Sequence, residues 1–354
     1  MPAQFPYQLT RLGVLMAPQP GNPMEVEGVL NPASVRQGDT LWLYPRLVAA
    51  GNISRIGRAR VIFDGEQPSV VREGIALEPE RGWEHGVAHG GVEDPRISRI
   101  DQLGLWVMTY VAFGPTGPRP ALAISKDGYG WERLGPILFQ YDDQLGTDLN
   151  LFPNKDVVFF PEPVPGPDGM PSIAMLHRPM WDLSFCRPGE AAPLPNGVED
   201  ERSGIWISYV PLAAALDDVR ALTRPGEHKL VAMPEAEWEA LKIGAGPAPY
   251  KVPEGWLLLY HGVTGTIDEN GSFAPQNDVR YVAAGMILDA EDPSKVVMRS
   301  AQPLLEPDSP EEQTGTVANV VFPTAIEEVA GTHFVFYGMA DSKIGLAQLA
   351  RKEG

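Results

Sequence analysis

The chain has 354 residues, with 28 lysines and arginines against 46 aspartates and glutamates, and a formal net charge of −18. This acidity argues against nucleic acid or an anionic membrane surface as a partner, because both need a basic face. Since 44% of the residues are hydrophobic, the chain can bury a core, and a disordered protein is excluded. The lone cysteine, Cys186, excludes an intrachain disulfide and thiolate-rich metal sites. No apolar stretch approaches the roughly 18–20 residues of a membrane span, so we expect a cytoplasmic, soluble protein.

Turn-forming residues interrupt the sequence throughout, with 37 glycines and 36 prolines. Only two stretches, 211–222 and 234–244, carry a helical pattern, and the second ends in a glycine. Most other apolar runs are short and rich in valine, isoleucine and aromatic residues, which is typical of strands. The sequence therefore predicts an all-β protein with short helices in loops.

Five similar strands recur along the chain, each apolar and ending near an aromatic residue or a histidine. They lie at 40–48, 104–113, 172–180, 255–263 and 332–340. Most have another strand before and after them, and the average length per copy is about 71 residues. Five copies of such a unit predict a five-bladed β-propeller, with 1–354 as a single domain. The segment LTRLGVLM, within residues 1–30, is predicted to close the ring with the last blade, whereas two β-sandwich domains would not explain five copies.

The segment GGVEDPRIS, at 90–98, contains adjacent carboxylates at Glu93 and Asp94. Because neighbours on a strand point to opposite faces, we expect only one of them to face the central channel. The other is expected to pair with the backbone or with Arg96. A turn carboxylate that satisfies loop amides is the structural alternative to a catalytic acid.

Basic residues occupy comparable strand ends in other repeats, namely Arg55, Lys155, Arg178 and His261. Singly, each would be read as a surface charge or a core histidine. Together, they are expected to converge in the channel as an anion pocket, since arginine forks bind phosphate in a bidentate manner and lysine adds a point charge. Phosphate is therefore a candidate reactant.

Other familiar sites are missing from the sequence. There is no Walker loop, no GxSxG elbow and no HExxH motif. The segment HGVAHGG, at 85–91, has two histidines four residues apart, but its glycines favour a loop over a zinc site. We expect no metal and no cofactor, with inorganic phosphate as a co-substrate.

Taken together, these motifs resemble glycoside hydrolase family 130, the mannoside phosphorylases and related β-mannosidases. The resemblance is carried, in the family's order, by NPA (31–33), SRIG (54–57), GVEDPRI (91–97), SKDGYGWERLGPI (125–137), NKDVVFFPE (154–162), MLHRP (175–179), GAGPAPYKVPEGWLLLYHGV (244–263), LDAEDPSKVVMRS (288–300), NVVFP (319–323) and YGMADSKIGLA (337–347). The family fold is a five-bladed β-propeller, in agreement with the repeat count.

The resemblance implies phosphorolysis of a β-mannoside with inversion, giving α-mannose 1-phosphate and a shortened acceptor. It implies that Asp94 is the proton donor, acting through the 3-hydroxyl of the mannosyl unit. The residues that match positions holding phosphate are Arg55, Lys155, Arg178, His261 and Tyr281. Those that resemble substrate-binding positions are Asn31, Arg46, Glu93 and Asp341.

Four functions remain open at this point, one of them activity on a different glycan such as an arabinoside or a galactoside. An inverting hydrolase needs a base to activate water, whereas phosphate is already an anionic nucleophile and needs a cationic cradle. Retention of Lys155, Arg178 and His261 favours the phosphorylase over a β-mannosidase. A carbohydrate-binding propeller without activity is the third reading, since this fold hosts many functions. Linkage, acceptor sugar and homo-oligomeric state stay open, and the long loops at 163–171 and 186–204 are expected to shape the acceptor side.

Overall fold

The computed structural model describes residues 4–64, 68–86, 90–181, 194–266 and 278–352. Cys186, the histidine at position 89 and much of the 186–204 loop lie outside these described residues. Within them the protein is almost entirely β-structure, which confirms the predicted class. No helix among the described residues is long and apolar enough to cross a membrane. The cytoplasmic location stays a prediction.

The strands follow one another with short connections. In the first half of the chain they are β1 (Tyr7–Met16), β2 (Gly28–Gln37), β3 (Thr40–Ala49), β4 (Ile53–Ile62), β5 (Ser69–Leu77), β6 (Gly90–Ile100), β7 (Leu105–Gly114), β8 (Gly117–Ser125), β9 (Glu132–Pro136), β10 (Asn154–Phe159) and β11 (Val164–Pro165). In the second half they are β12 (Pro171–Pro179), β13 (Ile205–Pro211), β14 (Gly226–Ala232), β15 (Lys242–Ala245), β16 (Tyr250–Val252), β17 (Gly255–Thr266), β18 (Asp278–Leu288), β19 (Val296–Arg299), β20 (Val321–Val329), β21 (Thr332–Met339) and β22 (Lys343–Arg351). The α-helices are α1 (Leu212–Asp217) and α2 (Pro310–Gln313).

The strands form five antiparallel groups, which we number as sheets 1 to 5. Sheet 1 is β2-β3-β4-β5 and sheet 2 is β6-β7-β8-β9, and a short parallel pairing of Ile53 and Ser54 with Gly90 and Gly91 joins them. Sheet 3 is β10-β12-β13-β14, and sheet 4 is β15-β17-β18-β19. Sheet 5 is β20-β21-β22-β1, so the N-terminal strand pairs with the last strand of the chain, as the sequence predicted.

Apolar cores lie between consecutive sheets. Sheets 1 and 2 share one cluster, and sheets 2 and 3, 3 and 4, and 4 and 5 share the next three. A further cluster joins Leu43 of sheet 1 to Phe336 of sheet 5. Each sheet is therefore covered on both faces, which explains the long runs of buried residues in strands such as β12 and β17.

One helix prediction is confirmed in part and the other is wrong. The 211–222 stretch contains α1 and a 3₁₀ turn at Val219–Thr223. The 234–244 stretch forms only a 3₁₀ turn at Glu237–Glu239 before β15 begins. The reason is that the chain joins the sheet directly after the turn: the backbone N–H of Leu241 donates to Val263 O at 2.9 Å, and Lys242–Ala245 pair with β17.

A buried ion triad recurs in three sheets. Each triad joins a glutamate before the first strand, a tyrosine on the second strand and an arginine on the fourth. The members are Glu84, Tyr110 and Arg133 in sheet 2, Glu239, Tyr260 and Arg299 in sheet 4, and Glu312, Tyr337 and Arg11 in sheet 5. All three glutamates are 0% exposed. An unpaired buried carboxylate would lower the stability of the fold by several kcal/mol, so each glutamate needs its arginine. Since that arginine is on the outer strand, each triad holds the outer strand against the inner ones.

Candidate active site

Three β-bulges shape the inner edge of sheets 1, 2 and 3. In β2, β6 and β10 the register slips by one residue, between Leu30 and Ala33, between Glu93 and Arg96, and between Lys155 and Val158. The residue after the first of each pair has a positive φ, and it is Asn31 (41°), Asp94 (44°) or Asp156 (55°). Asparagine and aspartate tolerate this left-handed backbone better than other non-glycine residues. The bulges therefore turn three polar side chains out of the strand pattern and toward one another.

Asp94 lies at the centre of this group. Its Oδ1 accepts a hydrogen bond from Asn31 Nδ2 at 2.8 Å and lies 3.3 Å from Arg46 Nη1. An amide NH₂ and a guanidinium can only donate, so Oδ1 cannot carry a proton in this arrangement. If Asp94 acts as an acid, its proton is on Oδ2.

Glu93 faces the same cation, which corrects the expectation that the two carboxylates point apart. Arg46 Nη2 donates to Glu93 Oε1 at 2.9 Å, while Lys155 Nζ lies 3.8 Å from Oε2. The alternation rule fails because the bulge inserts the left-handed Asp94. Arg96 binds neither carboxylate, since it donates instead to the carbonyl oxygens of Asp94, Pro95 and Gly246.

The electrostatic environment separates two aspartates. Burial by itself would raise the pKa of Asp94, but Arg46, Lys155 and Arg96 outweigh it and hold that pKa below its ordinary value. Burial raises the pKa of Asp341 to about 6, with Asp94 adding to the effect and Arg46 opposing it. Asp341 lies two residues after the end of β21 and is half-buried, so sheet 5 also contributes to the site.

Asp156 organises a second part of the site. Its Oδ2 accepts a hydrogen bond from Arg178 Nε at 2.6 Å and lies 3.6 Å from His261 Nε2. Burial would raise its pKa, but Arg178, His261 and Arg96 hold it well below the ordinary range. Burial lowers the pKa of His261 to about 3. His261 is thus a neutral hydrogen-bonding group, not the cation that the sequence suggests.

Lys242 and Tyr281 complete this part. Lys242 Nζ lies 5.4 Å from the centre of the Tyr281 ring, and Tyr281 is stacked near His261 at 5.9 Å. Burial and the neighbouring Arg178 and Lys155 lower the pKa of Lys242 to about 7. We call Lys155, Arg178, Lys242 and His261 the cradle, with Asp156 as its anionic anchor.

Buried polar atoms in the cradle point to a ligand. Arg178 Nη1 and His261 Nδ1 are buried and have no hydrogen-bond partner among the described residues, and the same is true of Asn31 Oδ1. Buried polar groups in native proteins are nearly always bonded, so such atoms are candidates for contact with a bound molecule. A guanidinium suits an anion, and the neutral imidazole of His261 can donate to the same anion as its Nδ1–H tautomer, whereas the amide oxygen suits a hydroxyl group.

Most of the residues predicted for the site lie together in the structure. The structure brings together Asn31, Arg46, Glu93, Asp94, Lys155, Arg178, His261, Tyr281 and Asp341 through the contacts and charge interactions above. Arg55 lies half-buried on β4, and no hydrogen bond or ion pair joins it to Asp94, Lys155 or Arg178.

Two members were missed. Asp156 has no distinguishing feature in the sequence besides its place next to Lys155, and Lys242 lies in the stretch predicted as a helix. The glycine two residues after Lys242 was an available clue. A Cβ atom at Gly244 would lie 2.2 Å from Asp156 Oδ2, so only glycine fits there.

The arrangement can supply an acid and bind an anion. It places the carboxylate of Asp94, on sheet 2, near lysine, arginine and histidine side chains that are fixed on sheets 3 and 4. Among the described residues, no group of three or more histidine, cysteine, aspartate or glutamate side chains could hold a metal ion. Acid-assisted transfer of a group to an anionic nucleophile is the chemistry that such residues support.

Comparison with known proteins points to one family. A family profile described as beta-1,4-mannooligosaccharide phosphorylase matches residues 217–353. A 1,2-beta-oligomannan phosphorylase of Thermoanaerobacter sp. (strain X514) is 30% identical, over 96% of this chain and 95% of its own length. A beta-1,2-mannobiose phosphorylase of the same strain is 30% identical over 98% and 99%. The solved beta-1,2-mannobiose phosphorylase of Listeria innocua shares the fold, with a TM-score of 0.69 at 22% identity, over 97% of this chain and 96% of that one.

Proposed function

Since the chain belongs to glycoside hydrolase family 130, we propose that it is an inverting phosphorylase that cleaves β-mannosides with inorganic phosphate. The products are α-mannose 1-phosphate and a shortened acceptor sugar. The observation that carries this proposal is the cradle, whose Arg178 and His261 both present buried, unpartnered nitrogen atoms. A hydrolase would need a base for water, whereas a phosphorylase needs a cationic site that positions an anion.

The proposal gives each part of the site a role. Asp94 is the proton donor, and its Oδ2 passes the proton to the leaving oxygen through the 3-hydroxyl of the mannosyl unit. Phosphate attacks the anomeric carbon from the opposite face, so the configuration inverts. The phosphate ligands are proposed to be Arg55, Lys155, Arg178, His261 and Tyr281, and we add Lys242 because it lies beside Tyr281. The mannosyl unit is proposed to contact Asn31, Arg46, Glu93 and Asp341.

We propose a β-1,2 linkage as the preferred substrate. Both curated relatives that match along nearly the whole chain carry the 1,2 linkage in their names. The matching family profile is described for a β-1,4 enzyme, so the 1,4 linkage is the natural comparison substrate.

The finer architecture belongs to the same proposal. We propose that the five sheets are the blades of one propeller formed by the whole chain, with β1 closing the ring. The cores shared by consecutive sheets, and by sheet 5 with sheet 1, support this arrangement. In such a ring the first strands line the central channel, where the bulges of β2, β6 and β10 would meet.

The decisive experiment supplies the protein with β-1,2- or β-1,4-mannobiose, with and without phosphate. We expect mannose 1-phosphate to form only when phosphate is present, and faster from the 1,2-linked disaccharide. Free mannose released equally fast without phosphate would identify a β-mannosidase instead. Binding of the sugar without turnover at any phosphate concentration would identify a binding protein. Proton NMR of the first product gives the anomeric configuration, and a β-phosphate would contradict inversion.

A further inference from the structure

Sheet 3 lacks the ion triad found in sheets 2, 4 and 5. On its second strand, His177 occupies the place where those sheets carry Tyr110, Tyr260 and Tyr337. In place of a glutamate and an arginine, it contacts Ser208 on the third strand, which in turn contacts His228 on the fourth. Sheet 3 thus replaces buried charges with neutral hydrogen-bonding groups.

The hydrogen bonds of this chain run in one direction. The carbonyl oxygen of Gln140 can only accept, so His228 Nε2 donates to it at 2.8 Å. His228 Nδ1 then accepts from Ser208 Oγ at 2.8 Å, and that hydroxyl accepts from His177 Nε2, also at 2.8 Å. His177 Nδ1 accepts from Asn154 Nδ2 at 3.0 Å. Each histidine is therefore fixed as the Nε2–H tautomer.

The far end of the chain reaches the cradle. Asn154 Oδ1 accepts from the backbone N–H of Arg178 at 3.2 Å. Asn154 and Lys155 are neighbours on β10, and Lys155 is the register partner of Arg178 on β12. The amide of Asn154 thus holds the two strands together where Lys155 and Arg178 leave the sheet, directly before the bulge that carries Asp156.

Burial keeps the chain neutral. His177 and Ser208 are fully buried, and His228 is 6% exposed. Burial and the neighbouring His228 hold the pKa of His177 well below its ordinary value. Burial also lowers the pKa of His228, although Asp142, Asp148 and Glu227 and the bond to Gln140 oppose this. A proton on Nδ1 of either ring would break the chain, because that nitrogen must accept.

We propose that His177, Ser208 and His228, the histidine relay, are positioning residues that hold Arg178 and Lys155 in the geometry that binds the anionic substrate. This inference rests on the proposed function for its biological meaning. Its structural content is independent of turnover, because it concerns the affinity of the cradle for an oxyanion. The relay acts through Asn154 and touches no substrate itself.

The first test measures sulfate binding, by calorimetry, to the full-length wild-type protein and to Ser208→Ala. Sulfate stays a dianion across neutral pH and needs no turnover. Since two buried nitrogen atoms lose their shared partner and Asn154 loses its support, we expect the dissociation constant for sulfate to rise about tenfold, which corresponds to about 1.4 kcal/mol, the size of one hydrogen bond. Ser208→Thr restores the hydroxyl and is expected to restore affinity.

A matched control separates positioning from general destabilisation. Tyr337→Phe removes a hydrogen bond from the equivalent position of sheet 5 and is expected to lower the melting temperature without weakening sulfate binding. In activity assays, Ser208→Ala is expected to raise KM for phosphate about tenfold and to leave KM for the mannoside within about twofold. The inference would be overturned if Ser208→Ala changed KM for phosphate and KM for the mannoside equally. It would also be overturned if Ser208→Ala and Tyr337→Phe weakened sulfate binding equally.

Nitrogen NMR of the histidine rings provides a readout that does not depend on the variant folding. In the wild-type protein, His177 and His228 are expected to show the Nε2–H tautomer and to stay neutral from pH 8 to about pH 5.5. An Nδ1–H tautomer at either ring would refute the relay. If sulfate binds as expected but phosphate is never consumed, the relay stands and the proposed function fails. If phosphate is consumed and Ser208→Ala binds sulfate normally, the relay fails alone.

Discussion

Lys155→Met tests the cradle with the least disturbance of the fold. The side chain of Lys155 is 24% exposed, its Nζ lies 3.8 Å from Glu93 Oε2, and it sits 5.7 Å from the centre of the Phe113 ring. Methionine keeps an unbranched stem of similar length and removes only the charge. The Glu93 carboxylate is buried, but it keeps the 2.9 Å hydrogen bond from Arg46 Nη2 when Lys155 is replaced, so we expect a change of under about 1 kcal/mol in the free energy of unfolding.

The expected effect on catalysis is much larger. A hydrogen bond to a charged group contributes about 1.5–3 kcal/mol, which corresponds to a loss of roughly 10- to 150-fold in kcat/KM for phosphate. KM for the mannoside should stay within about twofold. Initial rates at varied phosphate and fixed saturating mannobiose, and then the reverse, measure the two constants.

The same substitution should move the pH profile in a defined direction. Lys155 lowers the pKa of Asp94, so its removal raises that pKa. An acid works only while protonated, and activity falls as pH rises through the pKa that Asp94 has in the substrate complex, where the negative charge of the neighbouring phosphate opposes the lowering by Arg46 and Lys155. The alkaline limb of the phosphorolysis profile should therefore move to higher pH in Lys155→Met.

Lys251→Met is the matched control, because Lys251 is exposed and pairs with Glu162 at 2.8 Å on the surface. It should leave both constants and the pH profile unchanged. A value of kcat/KM for phosphate in Lys155→Met that stays within twofold of wild type would refute the assignment of Lys155 to the cradle. An equal loss in Lys251→Met would show that the effect is not local.

Three further predictions concern the acid, the triads and the response to pH. Asp94→Asn should lower the rate of mannobiose phosphorolysis by about 10²–10⁴-fold. The rate with a dinitrophenyl mannoside should fall far less, since that leaving group needs no proton. Equal losses of rate on both substrates would argue against an acid role. Glu312→Gln leaves Arg11 without its buried anionic partner and should lower the free energy of unfolding in urea by about 3–5 kcal/mol. The kcat of the folded enzyme should stay within about twofold of wild type. An unchanged unfolding midpoint would contradict the structural role of the triads. His177, His228 and His261 all have a pKa below the ordinary 6.5, so the unfolded state binds protons first as pH falls. The stability that these three rings contribute should therefore be complete above pH 6.5 and be lost below it, by up to about 4 kcal/mol per pH unit. A urea midpoint that stays constant from pH 7.5 to 5.5 would exclude neutral burial of these rings.

The repeat predicted from sequence and the observed sheets coincide because strand patterns are local. The second strand of every sheet ends near an aromatic residue or a histidine, and flanking turn residues separate it from its neighbours. The outer strands β5, β9, β14 and β19 were less visible, since they are short or half-exposed and lack a continuous apolar run. Their attachment depends on side chains distant in sequence, such as Arg133 bonded to Glu84.

The bulges explain why the site could be predicted only in part. Alternation along a strand is a reliable rule until one residue is inserted, and nothing in the alternation of β6 announces that Asp94 is left-handed. Two of the bulges are indicated by residue type, because an asparagine or aspartate precedes proline at positions 31 and 94, a combination that favours turns. Asp156 precedes valine, so the sequence does not indicate the third bulge. The role of Asp156 follows only from its contacts with Arg178 and His261.

The charge balance of the site follows from the cost of burying cations. Arg178 is 4% exposed and Arg96 is 1% exposed, and an unpaired guanidinium at such depth would lose several kcal/mol of hydration. Each is therefore compensated, Arg178 by the carboxylate of Asp156 and Arg96 by three backbone carbonyl oxygens. A search for cations alone overlooks these partners, although without them the cations could not stay buried. The anchoring carboxylate uses Arg178 Nε and leaves Nη1 without a partner, so Arg178 is held in place and can still bind an anion.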